Sequence, residues 1–145
     1  MRARQETCSF TGHRPAKLPW KFNENDSRCV QLKHRIMDAV EIACDPKRLR
    51  QVFLNILDNA AKHGGAGKHI VASLVRGRGE QVVRIRDFGP GIPPEELPNV
   101  KYKFYKGSST ARGSGIGLAV CEEIVSRHNG QLIIRNADDE RGGCV

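Results

Sequence analysis

Long apolar runs, aromatic residues and paired cysteines are scarce in this sequence, and each scarcity excludes a class of protein. Aromatic residues make up 6% of the 145 positions. No stretch approaches the ~20 consecutive apolar residues that a membrane-spanning helix needs. Residues 1–6 are basic, but no apolar segment follows them as it would in a signal peptide. We therefore expect a cytoplasmic protein that makes no contact with a membrane.

The five cysteines are an odd number, and no two of them lie close together. They stand at Cys8, Cys29, Cys44, Cys121 and Cys144. This spacing fits neither a disulfide framework nor a zinc site. We expect reduced and mostly buried thiols.

Composition is otherwise that of a globular domain, with 39% hydrophobic and 28% charged residues. The net charge is +8, but the basic residues are scattered and no aromatic residues are interleaved with them. The sequence therefore predicts no nucleic-acid partner. Part of the positive charge suits a polyphosphate ligand instead.

Residues 1–37 differ in character from the rest of the chain. They hold two prolines and a polar stretch at 23–27, and only Val30–Met37 favours a helix. This is too little apolar material to fold alone. We predict an N-terminal arm over 1–37 and a single domain over 38–145.

Within 38–145 the pattern is regular. Asp45 can cap free backbone N–H groups and Pro46 suits a first helical position, so a helix is expected from there to His63. Its apolar positions recur at three and four residues: Leu49, Val52, Phe53, Ile56, Leu57 and Ala60. The other predicted elements are strands at Ala39–Cys44, Ile70–Arg76, Gln81–Arg86 and Gln131–Asn136, and a helix at Gly115–His128. The order predicts an α+β fold, a two-layer α/β sandwich whose mixed, mostly antiparallel sheet carries helices on one face. Cys144–Val145 is predicted to begin a C-terminal strand that is cut off.

The first helix carries a polar stripe beside its apolar one. Asn55, Asn59, Lys62 and His63 fall within about 100° of the helix surface. Asparagine is a poor helix former, so two of them one turn apart need a reason. Amide oxygens can ligate Mg²⁺, and a lysine one turn later can pair with phosphate. A solvated helix face explains the stripe equally well.

Two glycine-containing segments follow. Asp87 at a strand end, with Gly89 and Gly91 after it, places a carboxylate that can accept from an amine beside a closely approachable backbone. A plain turn is the alternative there. Gly113, Gly115 and Gly117 open the second helix, and free N–H groups at a helix N-terminus favour phosphate. A Rossmann dinucleotide site is excluded because a long polar stretch, not a parallel strand, precedes these glycines.

Together and in this order, these segments resemble the sequence boxes of the GHKL ATPases, and among them the sensor histidine kinases. The resemblance covers Asp38 to Val145 and implies the Bergerat type of sandwich. The matching segments are Leu49–His63 (N box), Asp87–Ile92 (first glycine box), Phe104–Gly107 (F box) and Gly113–Leu118 (second glycine box).

The resemblance implies a site for ATP and Mg²⁺. Asn59, supported by Asn55, would ligate the metal, and Lys62 would contact phosphate, so that Asn59 and Lys62 are the implied catalytic pair. The other implied nucleotide-binding residues are His63, Asp87, Gly89, Gly91, Phe104, Lys106, Gly113, Gly115, Gly117 and Leu118. Residues 93–112 would be a flexible ATP lid.

The resemblance also implies partners. Many GHKL ATPases carry a glutamate base where this chain has Asn55, and an amide cannot accept a proton at neutral pH. Phosphoryl transfer to a partner histidine is therefore favoured over hydrolysis. The implied partners are a dimerisation domain that carries this histidine and a response regulator. His34 has basic neighbours and is interpreted as a solvated helix residue, not as the acceptor.

Two alternatives stay open. In the first, the chain is a module that binds ATP or ADP but transfers nothing, because the missing parts disable transfer; the cut strand is also expected to expose a sheet edge, which favours marginal stability or self-association. In the second, the chain is a nucleotide sensor, because Thr7–Pro15 and Leu18–Trp20 resemble the start of a SLOG-type family. On that resemblance, residues 1–37 and 38–145 form a chimera.

Overall fold

The computed structural model describes residues 6–10, 31–36, 40–64, 69–76, 79–105, 107, 115–137 and 143–145. In chain order the elements are β1 (Glu6–Phe10), β2 (Gln31–Ile36), β3 (Val40–Cys44), α1 (Pro46–His63), β4 (His69–Arg76), β5 (Gln81–Arg86), α2 (Gly117–Arg127), β6 (Arg135–Asn136) and β7 (Gly143–Cys144). Neither helix in these ranges is long and apolar enough to cross a membrane.

The first helix begins where the sequence predicts. The Asp45 carboxylate accepts hydrogen bonds from the backbone N–H groups of Lys47, at 2.9 Å, and Arg48, at 3.1 Å. Such a cap satisfies donors that have no partner inside the helix, and stabilises it by about 0.5–2 kcal/mol. At the other end the Gly64 N–H donates to the Ala60 carbonyl.

The strands form a mixed sheet in the order β2-β4-β5-β7-β6, while β1 pairs separately with β3. β2 runs parallel to β4, and the other pairs are antiparallel. β4 and β5 match two of the predicted strands and pair antiparallel, with Val71 opposite Arg86 and Arg76 opposite Gln81. Ile85 and Val145 exchange two backbone hydrogen bonds, which hold the last residues of the chain against β5.

The core lies between the helices and one face of the sheet. α1 contributes Val52, Ile56 and Ala60, which are three of the six apolar positions predicted for it. The other buried members are Ile70, Ile85, Cys121, Ile124 and Leu132. Each buried Val or Ile side chain stabilises the fold by roughly 1.5–3 kcal/mol. The predicted two-layer α+β sandwich is confirmed.

His128 joins the end of α2 to the start of α1. Its Nδ1 atom lies 2.7 Å from the Ile124 carbonyl oxygen, and its Nε2 atom accepts from the Asp45 N–H at 2.9 Å. A carbonyl can only accept, so Nδ1 carries the proton and the ring is the neutral tautomer. His128 is therefore a structural residue that holds the two helices together.

Three element predictions were wrong in detail. The segment predicted as a helix at Val30–Met37 is strand β2, because its backbone pairs with β4, and tertiary pairing overrides weak local propensity. The strand predicted at Gln131–Asn136 contains only Arg135–Asn136, because its partner β7 is two residues long. α2 begins at Gly117 instead of Gly115, whose φ of +68° is incompatible with a right-handed helix.

Candidate functional site

The C-terminal half of α1 presents the predicted polar stripe. Asn55, Asn59 and His63 are half-buried and Lys62 is exposed. The stripe therefore borders the core without entering it, as expected for residues that line a cleft. Whether these side chains bind a ligand stays a prediction.

Asn55 contacts the beginning of α2. Its Nδ2 atom donates to the Gly117 carbonyl at 3.4 Å. A Cβ atom at position 117 would lie 3.9 Å from the Asn55 Cβ, which is an ordinary van der Waals separation, so the two helices are in direct contact at this point. The structure thus places one residue of the second glycine segment beside the polar stripe.

Cys121 lies in the same helix contact and is fully buried. Burial raises the pKa of its thiol from 9.0 to about 11, and a hydrogen bond with Asn55 opposes part of this rise. The sulfur also donates to the Val52 carbonyl at 3.7 Å. The thiol is therefore neutral at physiological pH and forms part of the packing beneath Asn55.

The segment that begins at Asp87 meets the other end of the stripe. A Cβ atom placed at Gly64 would lie 3.5 Å from the Asp87 Cβ, and one placed at Gly89 would collide with the His63 carbonyl oxygen. The Asp87 carboxylate itself accepts from the Gly89 N–H at 2.9 Å. Glycine is required at 89 because the turn packs directly on the helix end. Asp87 and Gly89 thus lie at the C-terminal end of α1.

α1 therefore contacts both glycine segments. Gly117 lies at Asn55, and Asp87 with Gly89 lies at His63. These two points on the helix are about 12 Å apart, at a rise of 1.5 Å per residue. The helix brings together groups that are far apart in the sequence, with the polar stripe between them.

The continuation of the Asp87 segment is held by a residue that the sequence patterns did not indicate. The Asn136 side chain accepts from the Ile92 N–H at 2.8 Å and donates to the Ile92 carbonyl at 2.7 Å. Gly91, at φ +79°, lies directly against this amide. A lone asparagine at the end of a strand has no distinguishing pattern, and its partner is 44 positions away.

Phe104, which lies within the predicted lid, contacts the second glycine segment through its backbone. The Phe104 N–H donates to the Gly115 carbonyl at 2.8 Å. Both residues have left-handed backbones, with φ of +67° and +68°. The Phe104 ring is 72% exposed. The contact therefore closes the segment 105–114 at its base and does not bury the aromatic ring.

Residues 94–104 form successive turns, in the first part of the predicted lid. Lys101 fixes them to the body of the domain, since its Nζ donates to the Leu132 carbonyl and lies 3.1 Å from a Glu122 carboxylate oxygen. Arg86, before Asp87, stacks on the Phe88 ring at 4.5 Å. The two contacts of Lys101 join residues that are far apart in the sequence, so they have no short-range sequence signal.

Lys62 makes an ion pair within α1. Its Nζ lies 2.6 Å from the Asp58 carboxylate, one turn earlier, and both side chains are exposed. Exposed pairs of this kind are worth only about 0.3–0.5 kcal/mol, so Lys62 can exchange this partner at little cost. Leu118 lies half-buried in the first turn of α2, and Lys106 and Gly113 lie outside the described residues.

The chain is similar in sequence to known histidine kinases and related ATPases. The family described as "Histidine kinase-, DNA gyrase B-, and HSP90-like ATPase" matches residues 44–145. The chain is 40% identical over 110 residues to the signal transduction histidine-protein kinase AfsQ2 of Streptomyces coelicolor. It is 37% identical over 111 residues to the adaptive-response sensory kinase SasA of a Synechococcus strain. Each alignment takes in 74% of the chain, which spans 20% of the first relative and 29% of the second.

A solved structure of the mycobacterial sensor histidine kinase MprB superposes with a TM-score of 0.71 at 31% identity. The superposition covers 79% of this chain and 77% of that one. The family predicted from the N box and the two glycine boxes is confirmed, while the resemblance of residues 1–37 to a SLOG-type protein stays a prediction. The chain belongs to the family of histidine kinase-, DNA gyrase B- and HSP90-like ATPases.

Proposed function

We propose that this chain is the ATP-binding catalytic domain of a two-component sensor histidine kinase. It binds ATP with Mg²⁺ and donates the γ-phosphoryl group to a histidine on a separate dimerisation domain, from which a response regulator receives it. The kinase names of AfsQ2 and SasA support this assignment. The observation that carries the proposal is that α1 contacts both glycine segments, with the polar stripe between the contacts. A cytoplasmic location follows from this function.

The metal end of the proposed site lies at Asn59 and Asn55. Because the Asn55 Nδ2 donates to Gly117, its Oδ1 is the atom that would ligate Mg²⁺ directly or through water. Asn59, one turn later on the same stripe, would supply the principal ligand. Amide oxygens do not add negative charge beside the polyphosphate. The metal would neutralise charge on the transferred group, and Lys62 would add to this by exchanging Asp58 for phosphate.

The adenine end lies at Asp87. One of its oxygens accepts from Gly89, and this bond orients the carboxylate. The other would accept from the exocyclic amine of adenine. Gly89 and Gly91 would let the base approach the backbone, and His63 would border the nucleotide from α1.

The phosphate end of the proposed site lies at the start of α2. Gly113, Gly115 and Gly117 would line the triphosphate, with free N–H groups and the helix dipole favouring its charge. Leu118 would border it. Phe104 would anchor the lid at Gly115, and Lys106 would reach the phosphates from the lid.

Nucleotide binding is tested by calorimetry with ATP, ADP and GTP, with and without Mg²⁺. Asn59→Ala should remove the Mg²⁺-dependent part of ATP affinity. Asp87→Asn should weaken ATP far more than inorganic tripolyphosphate, because only ATP presents an amine to the carboxylate. Gln51→Ala, earlier on the same helix, is the matched control and should change neither. Unchanged Mg²⁺ dependence in Asn59→Ala contradicts the metal assignment, and equal losses for both ligands in Asp87→Asn contradict the adenine assignment.

Phosphoryl transfer is tested separately by single-turnover labelling. The chain is mixed with γ-labelled ATP, Mg²⁺ and a dimerisation domain from a relative such as AfsQ2. Label should appear on the acceptor histidine and should be absent with Asn59→Ala. Tight Mg²⁺–ATP binding without transfer would instead identify a nucleotide-binding module.

A further inference from the structure

The side-chain amide of Asn136 pairs with the backbone of Ile92 in the way that a peptide group of a neighbouring strand would. Its carbonyl oxygen accepts from the Ile92 N–H at 2.8 Å, and its amide nitrogen donates to the Ile92 carbonyl at 2.7 Å. One side chain thereby satisfies both backbone groups of one loop residue. Without this side chain, the N–H and carbonyl groups of Ile92 would need water or another group as hydrogen-bond partner.

Gly91 completes this contact. A Cβ atom at that position would lie 2.9 Å from the Asn136 Oδ1 and 3.3 Å from its Cγ. The backbone of Gly91 also has φ +79°, where other residues are strained. The glycine is therefore required twice, by its conformation and by the amide packed against it.

Asn136 is itself tied to the strand that leads into the Asp87 segment. It pairs with Gly143 across β6 and β7, and the next residue of β7, Cys144, pairs with Arg86 at the end of β5. Residues 87–92 are thus held at one end by β5 and at the other by Asn136. β5 and β6, the strand that contains Asn136, belong to the same sheet.

We propose that Asn136 is a positioning residue for the adenine pocket. It does not touch the nucleotide but fixes Gly91 and Ile92 in the conformation that receives the base. Because the loop is already ordered before the nucleotide binds, the binding free energy is not reduced by the cost of ordering it. This inference rests on the proposed function of the Asp87 segment. It assigns part of the preference for ATP over GTP to a residue of the edge strand β6, which lies outside the N box, the F box and both glycine boxes.

The test uses two variants of the full chain. Asn136→Leu has a similar volume but loses both hydrogen bonds, whereas Asn136→Asp keeps the acceptor and loses the donor. Gln131→Leu, exposed on the approach to β6, is the control. Affinities for ATP, GTP and tripolyphosphate are measured by calorimetry with Mg²⁺, and exchange of the Ile92 amide hydrogen is followed by NMR.

Because Asn136→Leu loses two hydrogen bonds that preorganise the loop, its affinity for ATP should fall about tenfold. Tripolyphosphate affinity should not change, and the preference for ATP over GTP should fall. The Ile92 amide should exchange faster in Asn136→Leu, and Asn136→Asp should lie between this variant and wild type. A merely structural role would weaken all three ligands together.

Two outcomes overturn the inference alone. In the first, Asn136→Leu binds ATP with wild-type affinity although its Ile92 amide hydrogen exchanges fast. In the second, both variants lose affinity for ATP and for tripolyphosphate by the same factor. Failure of the wild-type chain to bind ATP overturns the proposed function instead, and this inference with it. If Asn136→Leu does not fold, Asn136→Asp decides by the same comparison of ligands.

Discussion

Cys121 gives the fold a dependence on alkaline pH that can be worked out from the structure. Its thiol is 0% exposed, and burial raises its pKa from 9.0 to about 11. Because the folded state holds the proton more tightly than the unfolded state, the stabilisation is complete below pH 9. It is lost as the pH rises through 11, since only the unfolded chain releases the proton easily in that interval.

The magnitude follows from these two pKa values. Each unit of difference corresponds to about 1.4 kcal/mol. The free energy of unfolding should therefore fall by about 2–3 kcal/mol between pH 9 and pH 11 through this group. The group is fully buried, so solvent screening reduces the effect little.

The assay is urea denaturation followed by circular dichroism at pH 8, 9, 10 and 11. Wild type is compared with Cys121→Ala and Cys121→Ser, because lysines and tyrosines titrate equally in all three. Both variants should be less stable at pH 8, Cys121→Ala by about 1–2 kcal/mol through lost packing. The difference from wild type should shrink or reverse by pH 11. Parallel curves for all three proteins would refute the argument that this thiol resists ionisation in the fold.

Two further sites give predictions of stability, each with its own control. Gly89→Ala should lower the free energy of unfolding by about 2–3 kcal/mol, because its methyl group meets the His63 carbonyl. The control Gly79→Ala lies in open space at φ +83° and should lower it by only about 1–2 kcal/mol, through backbone strain. Equal losses in urea denaturation would contradict the packing argument. His128→Phe should cost about 1–3 kcal/mol, since the Asp45 N–H and the Ile124 carbonyl lose their partner. An unchanged melting temperature in differential scanning calorimetry would contradict it.

Features encoded by local chemistry were predictable from the sequence. Asp45 and Pro46 start α1 where expected, because capping depends only on adjacent residues. The strands β4 and β5 and the buried stripe of α1 follow from local sequence patterns. The close approach of Asn55 to Gly117 and of Asp87 to α1 agrees with the family resemblance. The ligand roles of these residues stay predictions.

Features that depend on distant partners were not predictable. β2 is a strand only because β4 offers a parallel edge to Gln31–Ile36. β6 is short because its ladder with β7 is short. Asn136 makes two hydrogen bonds to a residue 44 positions away, and His128 makes one to a residue 83 positions away; no periodicity indicates such contacts. The sequence therefore indicates the groups that would bind a ligand better than the groups that hold them in place.

The hydrogen bond from Phe104 to Gly115 has a consequence for how this family can vary. It brings the two ends of segment 105–114 together independently of what lies between them. For such a closed loop, each doubling of length adds only about 0.6 kcal/mol of closure entropy. Insertions or deletions here would therefore leave the sandwich nearly as stable as before, because the two ends of the segment stay joined. Loop length at this point is a property that selection can adjust almost independently of folding.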